Sequence, residues 1–98
     1  MLQCTQQGDA LTVHLCGEID HCAAEGLRNE IEMQIVRQNA MRLILDFSQV
    51  TFMDSSGIAV ILRAFRRVGE LGGQMTVRNV PAQAGKVLRA AGLERIVK

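Results

Sequence analysis

The sequence contains no tryptophan and no tyrosine, and its only aromatic side chains are three phenylalanines. With so little to stack on a nucleobase, a single-stranded nucleic-acid platform is excluded. Charge of either sign is not in excess: 11 basic residues against 10 acidic ones leave a formal net charge of +1, so no general field draws in DNA or an anionic membrane. No segment approaches the ~20 apolar residues needed to cross a bilayer. The first ten residues, MLQCTQQGDA, have neither the basic start nor the apolar middle of a signal peptide. The expected location is therefore cytoplasmic. Three cysteines, an odd number, suit thiols in a reducing compartment better than a disulfide framework.

What is present is aliphatic. Hydrophobic residues make up 48% of 98 residues, so the core must be built from Leu, Ile, Val, Ala and Met. The length allows a single domain, 1–98, burying roughly two-thirds of the surface of the unfolded chain.

The pattern is organised around residues 42–71, RLILDFSQVTFMDSSGIAVILRAFRRVGEL. Arg42 to Phe47 is an almost unbroken apolar run, too short for a helix, and predicts an inner strand covered on both sides. From Ile58 the period changes. Ile58, Ile61, Leu62, Phe65 and Val68 recur at helical spacing, while Arg63, Arg66, Arg67 and Glu70 gather opposite, which predicts an amphipathic helix packed on the strand layer. Asp54-Ser55-Ser56-Gly57 joins the two. Asp and Ser are preferred N-cap types, so the helix is expected to begin at or within this turn, with a serine able to cap it unaided.

Upstream, Leu2 to Gln6 and the alternating Leu11, Val13 and Leu15 predict a hairpin turning at Gly8-Asp9. His14 and Cys16 share a face of the second strand, with Cys4 near, yet no CxxC or HxxxH pair fixes a tetrahedral metal site. Gly17-Glu18-Ile19-Asp20-His21 ends that strand, and Asp20 is a good N-cap for a helix whose inner face is Ala24, Leu27, Ile31 and Ile35. Asn39 is suited to the left-handed stop of this helix. Downstream, Gly72-Gly73 ends the second helix and Met75 to Val80 predicts a strand. Pro81 suits the first turn of a third helix with Ala84, Val87, Leu88 and Ala91 inward. Gly92 reads as its C-terminal glycine, and Arg95 to Val97 as a last strand.

The fold class that follows is α/β: a mixed, mostly parallel sheet of four to five strands with helices packed on it. If the strands from Leu11 onward are parallel with right-handed crossovers, the turns at Asp20, at Asp54 to Ser56 and at Asn79 to Pro81 all emerge at the carboxyl edge of the sheet. That edge gathers Glu18, Asp20, His21, Asp54, Ser55, Ser56, Gly57, Ile58 and Asn79 as candidate partner-binding residues. For the two serines, helix capping is the bland role. The sharper one starts from the free N–H groups and positive dipole end of the helix, which tolerate a covalent phosphate. Such a phosphate would add close to two negative charges beside Asp54.

FMDSSGIAVIL, with GEIDH at residues 17–21 and the AGL near the end, closely resembles the STAS-domain anti-sigma factor antagonists, most closely the sporulation type acting on sigma factor F. The resemblance covers nearly the whole chain and implies the STAS fold. It implies that an anti-sigma factor, itself a serine kinase, phosphorylates the first serine of the DSSG turn, here Ser55, and that a serine phosphatase reverses this. The chain would thus be a kinase substrate and not an enzyme, with no cofactor, no catalytic residue and no DNA or membrane partner, working as a monomer or weak homodimer. The family continues past its final strand into another helix, whereas this chain stops at Lys98, so that helix is expected to be missing.

Other functions compete. A STAS-type stress-response partner-switching module or a nucleotide-binding module would use the same polar edge, although neither GxGxxG nor GxxxxGK[ST] is present. A hydrolase would need Ser55, His21 and Asp20 or Asp54 to meet, but the turn is not a GxSxG elbow.

Overall fold

The computed structural model describes residues 2–98. Strand β1 (Leu2–Gln7) turns back at Gly8, whose φ of +60° is open to glycine at no cost, and pairs antiparallel with β2 (Ala10–Ile19). Helix α1 (His21–Gln38) leads to β3 (Arg42–Met53), helix α2 (Ser56–Glu70) to β4 (Gln74–Arg78), and helix α3 (Ala82–Ala90) is followed by a single 3₁₀ turn, Glu94–Ile96. The sheet order is β1-β2-β3-β4, with β2, β3 and β4 parallel. This is the mixed α/β sheet expected from the sequence, with four strands.

The two crossovers step in the same direction, so right-handedness puts α1 and α2 side by side on one face. Alternation along β2 supplies that face with Leu11, Val13 and Leu15, and β3 adds Leu43, Leu45 and Phe47, all buried. Ala24, Leu27, Ile31 and Ile35 close the core from α1, as the periodicity predicts. Asn39 stops α1 with φ +50°. At the end of α3, Gly92 takes φ +75° while Leu93 N–H donates to Leu88 O at 3.0 Å, the bond expected of a Schellman stop.

Several expectations are corrected. β3 is not covered on both sides: Ile44 and Asp46 point to the face without α1 and α2 and are only half-buried. The strand also runs six residues beyond Phe47, to Met53, where the pairing with β2 shifts register twice and the buried residues Phe47, Val50 and Met53 fall three apart instead of alternating. In α2 the inward residues are Gly57, Val60, Ile61, Ala64 and Val68, whereas Leu62 and Phe65 are 45% and 48% exposed. The small Gly57 and Ala64 let the helix lie close to the sheet, which turns the larger side chains outward. β4 ends at Arg78 instead of Val80, Pro81 is the N-cap of α3 and not part of its first turn, and Ala91 is exposed. The expected last strand is absent: Arg95 lies in the 3₁₀ turn, and Val97 makes one isolated parallel bridge to Val77.

Cys4 does not join His14 and Cys16. It pairs with Val13, so alternation sends it to the helix side of the sheet while His14, opposite Gln3, points to the other. Burial pushes the Cys4 thiol pKa up, and the nearby Glu30 carboxylate adds to the shift. Among the described residues no disulfide forms, and no cluster of three or more His, Cys, Asp or Glu is arranged to hold a metal ion.

Candidate functional site: the Asp54–Ser55 turn

Parallel pairing brings Ile19 opposite Met53, so β2 and β3 end side by side and Asp20 and Asp54 leave the sheet as neighbours. Asp54 N–H donates to Ile19 O at 3.2 Å and ties the two ends together. The carboxylate of each aspartate then serves the helix that follows. Asp20 Oδ1 accepts from Ala23 N–H at 3.0 Å as the N-cap of α1, and Asp54 Oδ1 accepts from Ser56 N–H at 2.8 Å.

That second bond corrects the expected division of labour. Ser55 stands at the N-cap position of α2 but makes no side-chain capping bond; its backbone is already helical, at φ −64° and ψ −17°. A residue with helical dihedrals does not bring its own hydroxyl back to the first-turn N–H groups, which a cap in the extended region does. Asp54 therefore ties down the turn, and the Ser55 hydroxyl is left exposed. The remaining backbone bonds, Gly57 N–H to Asp54 O at 3.0 Å and Ile58 N–H to Ser55 O at 3.1 Å, tighten the first turn.

Met53 fixes the turn from behind. It is fully buried, and Gly57 lies so near its side chain that no Cβ would fit between them. Its main chain is bonded by the side-chain amide of Gln83 in α3, with Met53 N–H donating to Oε1 and Nε2 donating to Met53 O, both at 2.8 Å. Ser55, Ile58, Lys86, Val87, Ala90 and Ala91 line a shallow, mainly apolar hollow of about 470 Å³ between the start of α2 and α3. Sequence reasoning missed Gln83, Lys86 and Ala90; nothing in the periodicity of α3 says which strand end it leans on.

The remaining candidates divide. Glu18 and His21 are exposed beside Asp20, and Ser56 and Ile58 are half-buried in the first turn of α2. Asn79 lies elsewhere. β4 ends opposite Asp46, well short of Met53, so the third turn is set back and Asn79 Nδ2 donates to Asp46 Oδ1 at 3.3 Å. Asp46 also accepts from Ser48 N–H at 2.9 Å and sits 3.2 Å from His14 Nδ1. Partial burial pushes the Asp46 carboxyl up, but the bonds from Ser48 and Asn79 and the charge of His14 outweigh it and hold the pKa below the ordinary carboxylate value.

The STAS domain profile matches residues 1–98. The chain belongs to the STAS family. The anti-sigma F factor antagonist of Paenibacillus polymyxa is 33% identical over 89% of this chain and 74% of its own length. The anti-sigma-B factor antagonist of Bacillus subtilis is 29% identical over 94% of this chain and 83% of its own. Among solved structures, the anti-sigma factor antagonist SpoIIAA in its unphosphorylated form superposes with a TM-score of 0.88 at 27% identity, covering 100% of this chain and 86% of that one. Among the described residues of this STAS domain, no helix is long and apolar enough to cross a membrane.

Proposed function

We propose that this STAS domain, taken as one unit over residues 1–98, is an anti-sigma factor antagonist. It binds an anti-sigma factor that is also a serine kinase, releases the sigma factor, and is switched off by phosphorylation of Ser55. The observation that carries the reading is the Ser55 hydroxyl, exposed and free of capping duty at the head of α2. Names of relatives support the class, and the relative at 33% identity favours the sporulation type over the stress-response type represented at 29%.

In the transfer, Ser55 Oγ attacks the γ-phosphorus of ATP held by the kinase. The bond from that phosphorus to the β–γ bridging oxygen breaks, ADP leaves, and the hydroxyl proton passes to a base of the kinase. The N-terminal end of α2 favours the negative group thus attached. Asp54, half-buried beside it, keeps its bond to Ser56 N–H, so the added charge meets a like charge at the docking surface. The partner is lost through repulsion and through the cost of desolvating the phosphate. A serine phosphatase restores the binding form. Glu18, Asp20, His21, Asp54, Ser56 and Ile58 are assigned to the partner surface, whereas Gly57, buried against Met53, and Asn79, set back beside Asp46, are not part of it. The protein acts in the cytoplasm as a monomer or weak homodimer.

Incubation with the cognate anti-sigma factor and ATP, followed by mass spectrometric mapping, tests this. Phosphate is expected on Ser55, and Ser55→Asp is expected to abolish binding of the anti-sigma factor. Phosphate elsewhere, or full binding by that variant, refutes it.

A further inference from the structure

β4 stops at Arg78, opposite Asp46, while β3 continues to Met53. Along its last residues β3 therefore has β2 on one side and no strand on the other. At Met53 the gap is filled by a side chain. The amide of Gln83 offers Met53 one acceptor and one donor, each at 2.8 Å, and so supplies the exchange of bonds that a neighbouring strand would have made. Met53 immediately precedes the Asp54–Ser55 turn, and its side chain packs on Gly57 two residues after Ser55. Both ends of the turn thus refer to one residue, and that residue is clasped by α3.

We propose that Gln83 is a positioning residue for the modification of Ser55, acting through Met53. The inference rests on the reading of Ser55 as the phosphate acceptor. Its physical basis is reach: an acceptor hydroxyl must lie in line with the phosphorus, and misplacement by about 1 Å can cost on the order of 10²-fold in rate. Gln83 fixes where β3 ends relative to α3. It thereby fixes Ser55 against Lys86, Val87 and Ala90, the α3 side of the hollow that an approaching kinase must enter. Gln83 is exposed, so replacing its amide by an apolar group of similar length removes both bonds and leaves the core volume unchanged.

The test compares Gln83→Met, Gln83→Glu and, as a stability control remote from the turn, Ile31→Val, each as substrate of the cognate anti-sigma kinase, with kcat and KM measured separately. Hydrogen exchange at the Met53 amide is followed in parallel. Gln83→Met is expected to lower kcat about tenfold with little change in KM and to speed exchange at Met53. Gln83→Glu keeps the acceptor for Met53 N–H and is expected to recover part of the loss, while Ile31→Val keeps the wild-type kcat. If the wild type takes up no phosphate at Ser55, this inference and the reading beneath it both fall. If the wild type is phosphorylated there and Gln83→Met retains its kcat, or Ile31→Val loses as much, this inference alone is overturned.

Discussion

Gly57 lies against Met53 so closely that an added Cβ would fall 2.5 Å from Met53 Cγ and 2.6 Å from Sδ, with Ile19 Cγ2 at 3.2 Å. The requirement at position 57 is one of space, since its φ is not among the positive values of the chain. Gly57→Ala forces the buried Met53 side chain to move, at an overpacking cost of ~1–3 kcal/mol. Helix propensity returns less than ~1 kcal/mol of it. The net loss, on the order of 1 kcal/mol, should appear as a lower urea midpoint with an unchanged slope. A variant as stable as the wild type would mean that the turn has slack there.

Asp54 and Ser55 differ in what they hold. Asp54 Oδ1 accepts from Ser56 N–H at 2.8 Å, whereas Ser55 makes no capping bond. Asp54→Ala should cost ~1 kcal/mol of folding stability, in the range of a lost helix cap. Ser55→Ala should stay within ~0.5 kcal/mol of the wild type. Thermal or chemical unfolding of the two variants decides the matter, and the opposite order would show that serine is the cap after all.

The sequence carried this site further than it carried the surroundings. Capping residues, left-handed stops and periodicity are local properties, so Asp20, Asn39 and the inner face of α1 were legible without coordinates. The face of α2 was not, because Leu62 and Phe65 fit the helical period as well as Val60 and Ala64 do. Only the close approach to the sheet, permitted by Gly57 and Ala64, selects between them. The same holds for Asn79. Its place at the end of a strand was readable, but the shortness of β4, which moves it to Asp46, depends on pairing. Gln83 was illegible for a simpler reason: an exposed glutamine gives no signal until its partner across the fold is known.

Asp46 offers a pH test. Its folded-state carboxyl titrates below the ordinary value because of the bonds from Ser48 and Asn79 and the nearby His14, which together exceed the opposing effect of burial. A lowered folded pKa means that the stabilisation is present above the ordinary carboxylate pKa of ~3.9 and is lost as pH falls through the folded pKa. Wild type should therefore exceed Asp46→Asn in urea midpoint at pH 7, and the gap should narrow in acid. A gap of constant size from pH 7 to pH 2.5 would show that the charge of Asp46 contributes nothing to stability.

Asp20 is both a cap and a candidate contact, and one substitution separates the two roles. Its Oδ1 accepts from Ala23 N–H at 3.0 Å, a bond that the amide oxygen of asparagine reproduces, so Asp20→Asn should fold within ~0.5 kcal/mol of the wild type while Asp20→Ala loses ~1 kcal/mol. If the carboxylate also meets a basic group on the anti-sigma factor, Asp20→Asn removes that attraction without disturbing α1. Binding by the Asn variant should then weaken about tenfold or more, corresponding to a lost charge-assisted contact of ~1.5 kcal/mol or more, and the remaining affinity should depend less on salt. Calorimetric titration at two ionic strengths reads both effects. Undiminished binding by a stable Asp20→Asn protein would confine the residue to its helix, and the partner surface would then centre on Asp54, Ser55 and the hollow against α3.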